Sequence, residues 1–167
     1  MKKLGLIIVI IAVILAGCGG SGGSSSSANT SLFTGSYQGT FTLVGTALGV
    51  SASESGRLFI SINNSGEIRI FFDDELAAVG PIFSGGRYNI TASIRNAGLP
   101  DCASGQLTIS GNATGNRVTG RISSANVICS GIPFNFTGSL DAQKTTASLS
   151  RNTSRGAAFK RLLRRFY

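Results

Sequence analysis

The residues best suited to chemistry in this 167-residue chain are its carboxylates, because the sequence contains no histidine. Without an imidazole, neither a Ser-His-Asp nor a Cys-His arrangement can be assembled from this chain. Three consecutive acids at Asp73-Asp74-Glu75 allow a paired-carboxylate mechanism or calcium binding. Consecutive side chains of a strand point to opposite faces, however, so the three need not converge. We therefore interpret the segment as a solvated loop and expect no enzyme, no cofactor and no metal site.

The first residues are organised like an export signal. Lys2 and Lys3 supply positive charge, Leu4–Leu15 forms an apolar segment, and Leu15-Ala16-Gly17-Cys18 places small residues before a cysteine. This pattern resembles the signal peptide and lipobox of bacterial lipoproteins. Leu4–Ala16 would span about 20 Å as a helix, short of the roughly 30 Å hydrocarbon core of a bilayer. A permanent transmembrane helix is therefore disfavoured.

The resemblance implies that residues 1–17 are removed and that Cys18 becomes the lipidated first residue of the mature protein. Two or three acyl chains on this residue would make attachment to the membrane effectively permanent. In that family Asp after the cysteine often marks inner-membrane retention, so Gly19 points to the outer membrane where the organism has one. The alternative is a conventional secretory signal. We expect a lipid-anchored protein of the bacterial cell envelope and no nucleic-acid partner, despite a pI of about 10.1.

The chain after Cys18 divides into a tether, a domain and a tail. Gly19–Ser27 consists of Gly and Ser only, a composition that stays a flexible coil. We therefore assign residues 18–32 to the lipidated cysteine and its tether, residues 33–144 to the folded domain and residues 145–167 to a basic tail. With Cys18 assigned to lipid, Cys102 and Cys129 remain as a pair. In an oxidising envelope they are predicted to form a disulfide, since they lack the further ligands that zinc needs.

Alternating apolar side chains dominate residues 33–144. Each glycine-containing turn is followed by five to eight residues with apolar side chains at alternate positions, as in half-buried strands. The clearest hairpin has Ile60 and Ile62 before the turn Asn63–Gly66, and Ile68 after it. We count seven to nine strands, including short ones at 47–51 and 126–129. The pattern predicts an all-β, up-and-down antiparallel meander of about eight strands, and a barrel is preferred to a sandwich because closure removes exposed edges.

A meander of this kind is similar to small glycine-rich lipoprotein domains of bacteria, which are seldom given a defined activity. The segments that carry the likeness are Thr34-Gly35-Ser36-Tyr37-Gln38-Gly39-Thr40-Phe41, Ser104-Gly105-Gln106-Leu107 and Phe136-Thr137-Gly138-Ser139-Leu140. Because the chain lacks histidine and its strands expose Ser, Thr and Asn, we expect a non-catalytic domain that serves structural support or binds an unknown protein partner. The alternative is a lipocalin-like carrier, in which an inward face accepts a small apolar ligand. That inward face would consist of Tyr37, Phe41, Ile60, Ile70, Ile90 and Phe136.

All excess positive charge of the mature chain lies in residues 151–167. Between Cys18 and Ser150 seven basic residues balance all seven acidic ones. A short amphipathic helix over residues 157–167 would place an apolar face opposite a cationic one. The predicted contact with anionic lipid uses Phe159, Lys160, Arg161, Leu162, Leu163, Arg164, Arg165 and Phe166. A frayed tail and a helix packed across the barrel are the two other interpretations.

Overall fold

Eight antiparallel strands and one short helix make up the computed structural model, which describes residues 30–95, 102–146 and 157–166. Single 3-10 turns occupy Thr30–Leu32 and Ser84–Gly86. The helix, α1, spans Ala157–Leu163. The strands are β1 Gly35–Ala47, β2 Val50–Ile62, β3 Glu67–Phe72, β4 Glu75–Pro81, β5 Arg87–Ser93, β6 Cys102–Ala113, β7 Arg117–Cys129 and β8 Ile132–Thr145.

The strands form one sheet that curls into a nearly closed barrel. Their order is β4-β3-β2-β1-β8-β7-β6-β5, so the first strand pairs with the last. The two outer strands, β4 and β5, meet through a single bridge between Ile82 and Tyr88. Ile90 packs on the bare Cα of Gly80, where an added Cβ would lie 2.8 Å from Ile90 Cγ1. The predicted all-β, up-and-down meander of about eight strands, with a short helix near the C-terminus, is confirmed.

An up-and-down meander brings alternate turns to the same end of the barrel. The upper end carries the β1–β2 turn at Leu48–Gly49, the β3–β4 turn at Asp73–Asp74 and the β7–β8 turn at Ser130–Gly131. The lower end carries the β2–β3 turn, the start of β1 and the end of β8. The chain therefore enters the barrel at the lower end, where Phe33 is buried and its carbonyl accepts a hydrogen bond from the Tyr37 hydroxyl at 2.6 Å.

The barrel interior is filled by side chains. The six residues predicted to face inward are Tyr37, Phe41, Ile60, Ile70, Ile90 and Phe136, each at most 3% exposed, and all belong to one apolar cluster. A cavity large enough for a ligand would leave accessible surface on the side chains that line it. These six have almost none, so they form a packed core of the kind that small barrels contain.

Two short strands predicted from the sequence are wrong as separate elements. Residues 47–51 form the tip of the β1–β2 hairpin, in which Leu48 and Gly49 have φ of 51° and 79°. Residues 126–129 are the end of β7, set apart by an irregularity in its pairing at Asn126, whose φ is 54°. The predicted loop at residues 73–75 is only two residues long, because Glu75 begins β4 and is 8% exposed.

Cys102 and Cys129 are joined by a disulfide, as the sequence predicts. The two residues lie directly opposite each other where β6 begins and β7 ends, with their Cα atoms 3.9 Å apart. Arg95 Nε donates to the Cys102 carbonyl at 3.0 Å, which ties the residues just after β5 to the same place. The disulfide therefore staples the upper end of the barrel.

Two buried tyrosines should make the barrel sensitive to alkali. Burial raises the pKa of the Tyr88 hydroxyl, which donates to the Thr119 carbonyl at 2.9 Å, and also that of Tyr37. Unfolded tyrosine ionises near pH 10, so the unfolded state then binds fewer protons than the folded one. We expect constant stability below about pH 10 and a loss of up to about 1.4 kcal/mol per pH unit per tyrosine above it.

The measurement is the melting temperature between pH 9 and pH 11.5, with tyrosinate absorbance recorded in parallel. Tyr88→Phe removes one of the two ionisable groups and should make the alkaline fall less steep, leaving the part due to Tyr37, with a constant offset of about 1 kcal/mol for the lost hydrogen bond. An equally steep fall in this variant would show that Tyr88 does not control the alkaline limit.

Candidate functional site

The helix α1 covers the upper opening of the barrel. Leu162 and Leu163 are buried, at 0% and 8% exposure, and belong to the same apolar cluster as the barrel interior. An added Cβ on Gly45 would lie 3.2 Å from Leu162 Cδ2, so the helix approaches the bare backbone of β1. The Phe166 ring packs edge-on against Phe134, with centroids 5.2 Å apart. The helix thus closes this end of the core.

Carboxylates surround the docked helix. Glu54 faces inward from β2, because it pairs directly with the buried Leu43 of β1 and paired residues share a face. Arg161 Nε donates to Glu54 Oε1 at 2.7 Å, and Arg165 reaches Glu54 Oε2 at 3.2 Å. Arg161 also donates to Asp73 Oδ2 at 2.5 Å. We call the apolar opening lined by Gly45, Phe134 and Phe136, together with Glu54 and Asp73 at its rim, the barrel mouth.

The rim carboxylates are held in place by the barrel itself. The backbone N–H of Arg57 donates to Asp73 Oδ1 at 2.8 Å, while the Arg57 guanidinium donates to Asp74 at 2.9 Å. Gly56 leaves room for Asp73, since a Cβ there would come within 2.6 Å of Oδ1. The Glu54 and Asp73 side chains are only 10% and 15% exposed. The rim therefore presents fixed, partly desolvated negative charge to the helix.

Glu54 and Asp73 favour the charged form of the Arg161 side chain. The pKa of the Arg161 guanidinium is raised, first by its hydrogen bond to Glu54 and then by its hydrogen bond to Asp73. This arginine thus stays cationic at every pH at which the carboxylates are ionised. The Arg161 side chain is 45% exposed, so each ion pair alone is screened by water and contributes little. The contact depends on the ion pairs and the buried leucines together.

The structure places the tail residues predicted to contact lipid in different environments. Leu162 and Leu163 face the core, and Arg161 and Arg165 pair with the rim. Lys160 and Arg164 are exposed, while the side chain of Phe159 lies outside the described residues. The docked helix matches the third interpretation of the tail, a helix packed on the barrel. Contact with anionic lipid stays a prediction, and it would require the two leucines to leave the barrel mouth.

Sequence reasoning missed Glu54 and Asp73 as partners of the tail. One available signal was charge distribution, because the tail carries all the excess positive charge while acids recur from Glu54 to Glu75 in the body. A second was the weakly apolar stretch Ala52, Glu54 and Gly56, which continues the inward alternation of β2 without core-sized side chains. Both features match a surface that a separate basic segment covers.

The predicted lipidation site lies outside the part of the chain that the structure describes. Cys18 and the tether up to residue 29 lie outside the described residues, so lipidation and its lipobox stay predictions. Among the residues that the structure does describe, no three His, Cys, Asp or Glu side chains are grouped to hold a metal ion. No helix in the same part of the chain combines the length and hydropathy needed to cross a bilayer.

Comparisons with known proteins add a distant likeness. No family model matches the chain, and no curated protein matches it significantly. Among solved structures, the chain is similar to HpuA from Kingella denitrificans, solved in complex with human haemoglobin, at a TM-score of 0.35 and 10% sequence identity. The match covers 74% of this chain and 46% of the HpuA chain, so this chain spans less than half of that length. A likeness at this TM-score carries no conclusion about function.

Proposed function

We propose that this protein is a lipid-anchored lipoprotein of the bacterial cell envelope whose barrel binds a protein partner or provides structural support without catalysis. The observation that carries the choice is the filled interior. A carrier of a small apolar ligand needs a cavity, and the side chains that would line it are packed against one another. Recognition by this barrel therefore uses its outer surface and its ends.

The anchor rests on the sequence before the barrel. The Leu15–Cys18 segment matches a lipobox, and Gly19–Ser27 provides a flexible spacer. The chain enters the barrel at the lower end, so a lipid on Cys18 would tether that end. β1 has 13 residues, which span about 30 Å along the axis of a barrel with tilted strands. The barrel mouth would then lie on the side away from the anchor. The anchor itself would sit in the outer membrane where the organism has one.

The proposal of a non-catalytic barrel is supported by the partners of its carboxylates and cysteines, the side chains best suited to catalysis. The sequence has no histidine. Asp74 pairs with the Arg57 guanidinium, and Asp73 accepts hydrogen bonds from the Arg57 backbone N–H and from Arg161 of the docked helix. Cys102 and Cys129 bind each other. These contacts hold the upper end of the barrel together.

The anchor is tested by metabolic labelling of the producing cells with a palmitate analogue. The wild-type protein should carry the label and partition with the membranes. Cys18→Ser should lose the label and the partitioning entirely, because no other residue replaces the lipidated sulfur. A double variant, Cys102→Ser with Cys129→Ser, is the matched control and should keep the label. Label retained on Cys18→Ser would refute the anchor.

The filled barrel is tested by native mass spectrometry of protein extracted from its own cells. Apart from the covalent acyl chains, the wild-type protein should carry no extra mass. A lipid-sized mass lost on gentle activation would instead favour a carrier.

A further inference from the structure

We infer that the barrel mouth is a docking site for a basic, leucine-containing amphipathic helix of a partner protein, and that α1 occupies this site within the same chain. This deepens the proposed function and rests on it, since it names the surface of the barrel that binds and the chemistry of the partner.

The first argument is the fit between the site and its present occupant. The mouth combines an apolar wall, formed by Gly45, Phe134 and Phe136, with carboxylates at its rim. The helix presents leucines at 162 and 163 to that wall and arginines at 161 and 165 to the rim. A partner must offer both features at helical spacing to replace it.

The second argument is that the contact of α1 is small. A helix of seven residues is too short to be stable alone in water, so it forms only together with docking. Among the tail side chains that the structure describes, Leu162 and Leu163 are buried, Phe166 is half-buried, and both arginines of the ion pairs are about half exposed. A longer helix of the same chemistry would bury more surface and compete with α1 for the site.

The third argument is where the chain leaves the barrel. β8 ends at the lower end at Thr145, whereas α1 sits at the upper end. Eleven residues separate Thr145 from Ala157, and such a segment spans at most about 40 Å when extended. That length is enough to return the chain along a barrel about 30 Å tall. The occupant therefore belongs to a segment separate from the barrel, and nothing in the mouth requires that it come from the same chain.

The fourth argument is the fixed rim. Arg57 and the β3–β4 turn hold Asp73 whether or not the helix is present. Glu54 stands on a strand paired on one side by β1 along its whole length. When α1 leaves, the site keeps its shape and exposes an apolar floor beside unpaired carboxylates. Such a surface is costly to leave bare, and this favours capture of another basic helix.

The test uses the purified full chain and a labelled peptide with the sequence of residues 151–167. In the wild-type chain the mouth is already occupied. The double variant Arg161→Glu with Arg165→Glu repels its own tail from Glu54 and Asp73, and should bind the peptide at least about tenfold more tightly than wild type. Adding Glu54→Gln to that variant should weaken binding by about tenfold. A control peptide with Leu162→Ser and Leu163→Ser keeps its charge. It should bind neither the wild-type chain nor the double variant.

A second measurement follows displacement within the intact chain. The sequence has no tryptophan, so Phe166→Trp provides a single fluorescent probe next to Phe134. Excess peptide should drive this probe from the barrel into water and shift its emission to longer wavelength. The proposal fails if the peptide binds wild type and the double variant equally, or if Glu54→Gln or the serine peptide changes nothing.

The other occupants give distinct results. If vesicles of phosphatidylglycerol shift the probe while the peptide does not, the tail belongs to a membrane and the partner site is refuted. If the wild-type chain forms dimers that exchange their tails, the mouth serves a second copy and the assignment to another protein is refuted. None of these readouts uses Cys18, so failure here leaves the labelling test of the anchor unaffected.

Discussion

Gly39→Ala is expected to destabilise the barrel by about 3 kcal/mol, which corresponds to a melting temperature lower by roughly 10 °C. Gly39 lies on β1 between Leu58 of β2 and Ala142 of β8. A Cβ at this position would overlap the Asp141 carbonyl oxygen and lie 2.6 Å from Ala142 Cα. Backbone atoms of a paired strand cannot turn aside as a flexible side chain can. The substitution therefore pushes β1 away from β8, and this pairing is the one that joins the first strand to the last.

The matched control is Gly115→Ala, in the turn between β6 and β7. A Cβ there meets nothing closer than 3.9 Å, and the residue does not have the positive φ that disfavours alanine. Loss of chain entropy in the unfolded state should leave this variant equal to wild type or more stable by up to about 1 kcal/mol. Urea unfolding of both variants measures the difference. Equal midpoints for the two would show that β1 and β8 are not held as closely as the structure indicates.

Alternation made most of the barrel predictable. Along β1, β7, β8 and the lower half of β2, most inward positions carry apolar side chains and most outward positions carry polar or charged ones, so the period of two is visible in the sequence. The Asn63–Gly66 turn was equally clear. Asn63 Oδ1 accepts hydrogen bonds from the backbone N–H groups of Ser65 and Glu67, at 3.1 and 2.9 Å, and this pattern is typical of an Asx turn.

The missed elements break that alternation for local physical reasons. β4 has the sequence ELAAVGP, and a bulge opposite Ile70 and Phe71 places both of its alanines in buried positions. The β1–β2 turn uses Leu48 at positive φ, where Asn or Gly is expected, so no turn residue marks its first position. Leu48 is also 78% exposed, and nothing in the described residues explains an apolar side chain there.

The candidate site was harder to predict, because it depends on contacts between residues far apart in the sequence. Glu54 and Arg161 are 107 positions apart and meet only after β1 and β2 have brought Glu54 to the inward face of the upper end. The amphipathic pattern of the tail was visible, but its apolar face suits a lipid surface as well as a protein core. The opening whose charge complements the helix exists only in the folded barrel, so no local pattern of the sequence contains it.

Phe136→Ala is expected to cost about 3 to 5 kcal/mol, because it removes a fully buried ring from the part of the core that lines the barrel mouth. The ring stacks on Phe134 with centroids 5.8 Å apart and touches the position that a Cβ of Gly45 would occupy. The paired strands on either side restrict collapse, so most of the vacated volume should remain as an apolar cavity. Phe83→Ala is the matched control, since that ring is 52% exposed and its loss should cost less than about 1 kcal/mol.

The same variant tests whether the wild-type barrel is filled. An apolar cavity of this kind stays dry and binds small apolar molecules such as benzene. Saturating benzene should therefore raise the melting temperature of Phe136→Ala by several degrees and leave wild type unchanged, because binding to the folded state alone stabilises it. If benzene stabilises wild type as much as the variant, the interior already contains such a space. The barrel would then be suited to carrying an apolar ligand, and a protein partner at its mouth would no longer be the better explanation of its function.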